Sequence, residues 1–160
     1  MRLTADEAIR RYGDRMYAAA FSVCRSHDDA DDAVQDALIK YHTLRLDYHD
    51  EEHLKAWLLR VTINRAKDIA SSFWRRNTAS WEDYMATLPF EAPEDSRLFE
   101  AVMRLPEKYR TVIHLFYYEE YSVREIAQLL RSREGTVKSQ LSRGRKLLKT
   151  MLGEEWDDDE

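Results

Sequence analysis

The sequence predicts an all-α protein made of two small helical domains joined by a linker. Apolar residues recur at three- and four-residue spacing in several separate runs, and only four glycines and three prolines interrupt 160 residues. Charge is also divided unevenly. The net charge is −5, yet residues 1–76 are balanced, 77–100 carry −5, 101–152 carry +6 and 153–160 carry −6. An acidic total thus conceals a basic C-terminal domain, and it is the distribution that bears on nucleic-acid binding. These shifts divide the chain into a first domain over 1–76, an acidic linker over 77–97, a second domain over 98–152 and an acidic tail over 153–160.

In the first domain, Ile9, Tyr12, Met16, Ala19, Ala20 and Val23 form one helical stripe, and Ala30, Ala33, Val34, Ala37, Leu38 and Tyr41 form a second. Between them, SHDDADD offers Ser26 or Asp28 as an N-cap, and its other carboxylates suit the positive end of the helix dipole. Helix chemistry does not explain Gln35, Asp36 and Lys40, a polar face continuing past the first turn and suited to a protein partner. Leu54, Trp57, Leu58, Val61 and Ile69 mark a third helix. Around it, Arg60, Asn64, Arg65 and Lys67 interleave with Trp57, Phe73 and Trp74, a mixture that suits single-stranded nucleic acid but, taken alone, better fits a core of aromatics with a solvated basic rim. Asn64 is the residue that packing explains least, and its amide can both donate to and accept from a base edge.

In the second domain, Ser122 and Glu125 fit a capping box, and Val123, Ile126, Ala127 and Leu130 make a short amphipathic helix. After a break, Val137, Leu141, Gly144, Leu148 and Met151 make another. Two such helices joined by a tight turn read as a helix-turn-helix. Lys138, Ser139 and Gln140 are then candidate base readers and Arg143 and Arg145 candidate phosphate ligands, although a solvated helix face has the same composition.

Cys24, the only cysteine, has no partner for an internal disulfide, and its apolar neighbours predict a small buried group in a reducing, cytoplasmic setting. No apolar run approaches the roughly 18 residues of a membrane span, and MRLTADEAIRRYGD lacks a signal peptide's apolar stretch, so no membrane insertion is expected. No catalytic set appears, and no cofactor is implied. His49 and His53, beside Asp50 and Glu52, do not complete a ligand set, so no metal site is expected.

Taken together, these segments resemble an extracytoplasmic-function (group IV) sigma factor of bacterial RNA polymerase. DDAVQDALIKYH (31–42) resembles the region-two helix that binds the polymerase clamp, and LKAWLLRVTINRAKD (54–68) the segment that melts and reads the minus-ten element. LPEKYRTVIHLFYYEEYSVREIAQLL (105–130) followed by EGTVKSQLSRGRKLL resembles region four, which binds the minus-thirty-five element. The resemblance implies that Asp32, Gln35 and Asp36 meet polymerase, and that Asn64 lies in a pocket for a flipped-out base, with Leu44 and Tyr48 in the loop that helps build it and Arg60 and Lys67 on the same minus-ten surface. Extruding a base costs a few kcal/mol of stacking, which such a pocket offsets. In region four it implies DNA contacts from Thr136, Lys138, Ser139, Gln140 and Arg143. Two residues depart from the family pattern: Arg131 stands where glycine is common in the turn, and Arg133 where serine commonly caps the recognition helix. Ser132 is the replacement cap expected here, and both arginines can add phosphate contacts. The resemblance also allows an anti-sigma factor as partner, though no residue set identifies one.

The linker, fully extended, spans about 70 Å, roughly two turns of B-DNA, which suits two domains on separated promoter elements. Its Trp81, Tyr84, Met85 and Phe90 either pack on a domain or, by resemblance, thread polymerase channels. The expectation is a non-enzymatic promoter-specificity subunit; the alternative is a stand-alone DNA-binding regulator. The acidic tail either solvates the C-terminus or folds back and competes with DNA. Deleting residues 154–160 separates these: if the tail competes, the deletion raises DNA affinity at low salt, and if it only solvates, the deletion leaves affinity unchanged, as a binding titration reads.

Overall fold

The computed structural model describes residues 2–45, 47–73 and 97–153. The described residues are helical, with no strand among them, and form two compact units.

The first unit is a bundle of α1 (Ala5–Cys24), α2 (His27–Leu44) and α3 (Glu51–Phe73), each packed on the other two. α1 starts in a capping box in which Thr4 Oγ1 accepts the Glu7 N–H at 3.1 Å and the Glu7 carboxylate accepts the Thr4 N–H at 3.4 Å. At α2 the cap is Ser26, whose Oγ accepts the Asp29 N–H at 3.3 Å, while Asp28 and Asp29 occupy the first turn. Fully buried alanines, Ala19, Ala20, Ala30, Ala33 and Ala37, let the helices approach closely around Met16, Tyr41, Leu54, Leu58 and Ile63.

Every residue of the predicted α2 stripe is buried. On α1, Ile9 is the exception at 43% exposure, because Ala8 and Tyr12 take the core-facing positions and Ile9 lies on the flank against Gly13. On α3 the core face is turned by about one residue from the expected stripe. Leu59, Ile63 and Ala66 are buried, whereas Trp57, Val61 and Ile69 are half-buried. Thr62 shares that buried face at no polar cost, since its hydroxyl donates to Leu58 O at 2.6 Å. The N-terminal residues strap the bundle: Arg2 Nη2 donates to Tyr41 O at 2.6 Å, and the Tyr41 hydroxyl donates to Leu3 O at 2.7 Å. Cys24 is half-buried rather than buried, with Sγ 3.2 Å from Ala20 O. His49 and His53 organise the start of α3, where the His49 N–H donates to His53 Nδ1 at 3.2 Å and the His53 N–H to Asp50 Oδ1 at 2.8 Å.

The second unit comprises α4 (Arg97–Arg104), α5 (Glu107–Ile113), a π-helical turn over His114–Tyr118, α6 (Val123–Leu130) and α7 (Glu134–Leu152). α4 already includes Arg97, the last residue assigned to the linker, and Arg97 Nη2 donates to Leu152 O at 3.3 Å, joining α4 to the end of α7. Pro106 separates α4 from α5 by disfavouring helix at the residue before it. Arg110 is buried and donates from Nη1 to Leu105 O at 2.7 Å. The π turn closes with Glu119 N–H to His114 O at 3.2 Å, and Tyr118 stacks on the His114 ring with centroids 4.9 Å apart. Burial pushes the His114 imidazole down to about 4.

The core of this unit is Leu105, Val112, Leu115, Ile126, Leu141 and Leu148. Leu129 is buried where the stripe had named Leu130, and Met151 is 43% exposed because the buried line of α7 continues four residues past Leu148, at the half-buried Leu152. The decisive small residue is Gly144, where an added Cβ would lie 3.2 Å from Ile113 Cγ1 and Cδ1 and 3.4 Å from Tyr109 Cβ. Gly144→Val should therefore destabilise the second unit by about 1–3 kcal/mol through overpacking, measured as a lower denaturant midpoint for its unfolding.

Candidate nucleic-acid interface

Backbone chemistry sets the helix-turn-helix. Ser122 Oγ accepts the Glu125 N–H at 3.1 Å, and the Glu125 carboxylate accepts the Ser122 N–H at 2.9 Å, the capping box that the spacing predicts. α6 ends in a Schellman closure in which the Ser132 N–H donates to Ala127 O at 2.8 Å and the Arg131 N–H to Gln128 O at 3.3 Å. That closure requires a left-handed residue, and Arg131 supplies it at φ 55°. Ser132 does not cap α7, contrary to expectation, because its N–H is committed backward to α6 and the cap position falls one residue later. Arg133 occupies that position, extended and without a side-chain cap bond, and its carbonyl accepts the Val137 N–H at 3.1 Å.

On α7, Thr136, Ser139, Gln140 and Arg143 recur at three- and four-residue spacing, and Arg133 precedes Thr136 by three, so these five share one side of the helix. They border an open hollow of about 600 Å³. α5 contributes its other border, Lys108 and Tyr109, which sequence reasoning did not single out. Lys108 Nζ stands 5.2 Å from the Tyr109 ring centroid. The lining contains three cationic side chains, Lys108, Arg133 and Arg143, and no carboxylate.

Three other candidates lie outside this hollow. Arg131 and Lys138 are exposed elsewhere, Lys138 being carried about 200° around α7 from both Thr136 and Gln140 at 3.6 residues per turn. Arg145, read from sequence as a phosphate ligand, is half-buried and engaged within the unit. Its Nε donates to the Tyr117 hydroxyl at 2.6 Å, and its guanidinium lies 5.3 and 5.5 Å from the Phe116 and Tyr117 ring centroids.

In the first unit, Asp32 and Gln35 are exposed on α2 with Ile39, which is 62% exposed; the predicted stripe already leaves Ile39 off the core face, but only polar residues point to a partner surface there in the sequence. Asp36 is half-buried and already paired: Arg65 Nε donates to its Oδ2 at 2.6 Å, linking α2 to α3. The same bond is the first cause of an upward shift in the Arg65 guanidinium. On α3, Arg60, Asn64 and Lys67 follow at helical spacing; Asn64 is exposed with no hydrogen bond to a described residue, while Arg60 and Lys67 are half-buried. Trp57 belongs to the packing side, its ring 6.2 Å from that of Tyr41. Leu44 is 50% exposed at the end of α2, and Tyr48 is half-buried with its hydroxyl accepting the Leu3 N–H at 2.9 Å. Trp74, the apolar linker residues Trp81, Tyr84, Met85 and Phe90, and the acidic tail beyond Gly153 lie outside the described residues.

Comparison with known proteins assigns both units. Residues 8–79 match Sigma-70 region 2, and residues 96–148 match Sigma-70, region 4. The ECF RNA polymerase sigma factor SigM of Mycobacterium tuberculosis is 30% identical over 154 residues, covering 95% of this chain and 79% of that protein. The RNA polymerase sigma factor SigV of Bacillus subtilis is 28% identical over 141 residues, covering 87% of this chain and 85% of that one. Among solved structures, the sigma factor RpoE in complex with the anti-sigma factor NepR from Bartonella quintana shares the fold, with a TM-score of 0.68 at 24% identity over 92% of this chain and 95% of that chain. Among the described residues, no helix is long and apolar enough to cross a membrane.

The left-handed Arg131 has a measurable cost. Arg131→Gly should stabilise the second unit by about 1 kcal/mol, a rise of about 4–8 °C in the midpoint of its thermal unfolding.

Proposed function

This chain belongs to the extracytoplasmic-function sigma factors of bacterial RNA polymerase, which bind core polymerase, recognise promoter DNA and initiate transcription, and from that premise we propose how its residues divide the work. The observation that carries the proposal is the shared side of α7. Arg133, Thr136, Ser139, Gln140 and Arg143 converge there without an intervening carboxylate, and they address the minus-thirty-five element. Gln140, with an amide that donates and accepts, reads base edges; Arg133 and Arg143 hold phosphates. Lys138 and Arg131 serve this DNA from the flank, whereas Arg145 acts by positioning the π turn through Tyr117.

In the first unit, Asp32 and Gln35 meet polymerase with Ile39, and Asp36 joins that surface to the minus-ten helix through Arg65. Asn64, exposed on α3 with its hydrogen-bonding capacity unspent, receives the flipped-out promoter base. Arg60 and Lys67 flank it on the same helix face, and Leu44 with the strapped Tyr48 forms the apolar part of the pocket. The chain works in the cytoplasm as a non-catalytic subunit, polymerisation being the partner enzyme's chemistry, and an anti-sigma factor regulates it.

Transcription reconstituted from core polymerase, the full chain and a promoter library tests this reading. Wild-type chain should direct promoter-specific transcripts. Asn64→Ala should reduce open-complex formation at least about 10-fold, the loss expected when about 1.4 kcal/mol of base contact disappears, while polymerase affinity stays unchanged. Equal loss of both would make Asn64 a structural residue, and DNA binding without promoter-directed transcription would favour a stand-alone regulator.

A further inference from the structure

The hollow beside α7 has a second wall, and that wall does not belong to the helix-turn-helix. Lys108 and Tyr109 lie at the start of α5, more than twenty residues before α7 begins, yet both line the same hollow as Arg133, Ser139 and Arg143. Tyr109 cannot drift from this position. Its Cβ is 3.4 Å from where a side chain on Gly144 would begin, so the tyrosine sits directly against the α7 backbone. Lys108 is exposed, and its ammonium stands 5.2 Å from the Tyr109 ring centroid. A flexible lysine is thereby biased toward the hollow by the attraction of a cation to an aromatic face.

We propose that the trough between α5 and α7 is a binding site for the phosphate backbone of duplex DNA, in which Lys108 is a phosphate ligand supplied from outside the helix-turn-helix and Tyr109 is its positioning residue. The inference rests on the reading of α7 as the recognition helix. Its chemistry is that of an anion site: cations from α5, from the turn and from α7 converge, and no carboxylate lines the trough. Phosphate is the suitable ligand because an ammonium on a rotatable stem pairs with a point charge in many orientations, whereas base reading demands fixed donor and acceptor geometry. A duplex is the suitable source of phosphate because the trough runs alongside the side of α7 that carries Gln140 and Ser139. A helix lying in the major groove is bordered by the backbone of the strands it reads.

The test uses the full chain assembled with core RNA polymerase and a randomised duplex library, with affinity measured across a salt series. Lys108→Ala should weaken binding to all duplexes by a similar factor and lower the slope of log affinity against log salt by about 0.9, the release of one counterion fewer. Between about 50 and 200 mM salt, the variant should therefore lose about 3.5-fold less affinity than the wild-type chain. Lys108→Arg should restore the slope, and Gln140→Ala should change the ranking of sequences instead. Tyr109→Leu, which keeps an apolar contact near Gly144, should reduce affinity while leaving thermal unfolding of the second unit close to wild type. An unchanged slope in Lys108→Ala, or an altered sequence ranking, overturns the phosphate assignment while leaving the recognition helix intact. Absence of salt-dependent DNA binding by the wild-type assembly would instead overturn the recognition-helix reading itself, and this inference with it.

Discussion

The close approach of α5 to α7 at Gly144 is the constraint on which the DNA-binding unit depends. Hydrogen in place of a side chain lets Ile113 and Tyr109 rest on the α7 backbone, and the buried line of Val137, Leu141 and Leu148 then fixes how α7 is rotated. Once that rotation is set, Thr136, Ser139, Gln140 and Arg143 must face away from the core. The same contact brings the start of α5 alongside them. A side chain at position 144 would act on both consequences together, since the buried face and the presented face belong to one rigid helix.

The turn between α6 and α7 shows how function and stability share a few residues. Its Schellman closure satisfies the carbonyls at the end of α6, and in doing so it places an arginine in the left-handed region and denies α7 a side-chain cap. Each departure costs on the order of 1 kcal/mol. Both residues, Arg131 and Arg133, are cations on the helix-turn-helix proposed to meet DNA. Packing along α7 compensates, because a helix of 19 residues anchored by a continuous buried stripe does not depend on its first turn.

In the first unit, the Asp36–Arg65 pair crosses from α2, the helix proposed to meet polymerase, to α3, the helix proposed to meet the minus-ten element. Both side chains are close to half exposed, so the bond contributes little to stability. Its interest lies in where it sits. Asp36 is the member of its trio already occupied within the chain, whereas Asp32, Gln35 and the exposed Ile39 present an unobstructed surface one helical turn apart. Tyr48 is constrained in a comparable way by the Leu3 N–H, which holds its ring against the N-terminal strap.

Periodicity and capping chemistry are local, and what they encode was legible without a fold. The all-α class, the stripe of α2, a cap at Ser26 or Asp28, the Ser122–Glu125 box and the basic second helix of the helix-turn-helix all follow from spacing within a few residues, whereas the choice of Ser26 and the 19-residue length of α7 came from the structure. Motif order likewise pointed to the sigma-factor family. What required tertiary structure was any property set by a residue distant in sequence. Ile9 and Met151 have the right spacing for burial but no neighbour among the described residues that covers them, and Leu59 and Ile63 displace the expected face of α3 because α1 and α2 approach from a direction that α3 alone does not specify. Arg145 looked like a phosphate ligand until the π turn placed Tyr117 and Phe116 over it, and Lys108 and Tyr109 carried no signal until α5 was packed on Gly144. Sequence determines which side chains a helix can present together, because that depends on helical geometry alone; tertiary packing decides which of them remain available, because another element must either cover them or leave them open.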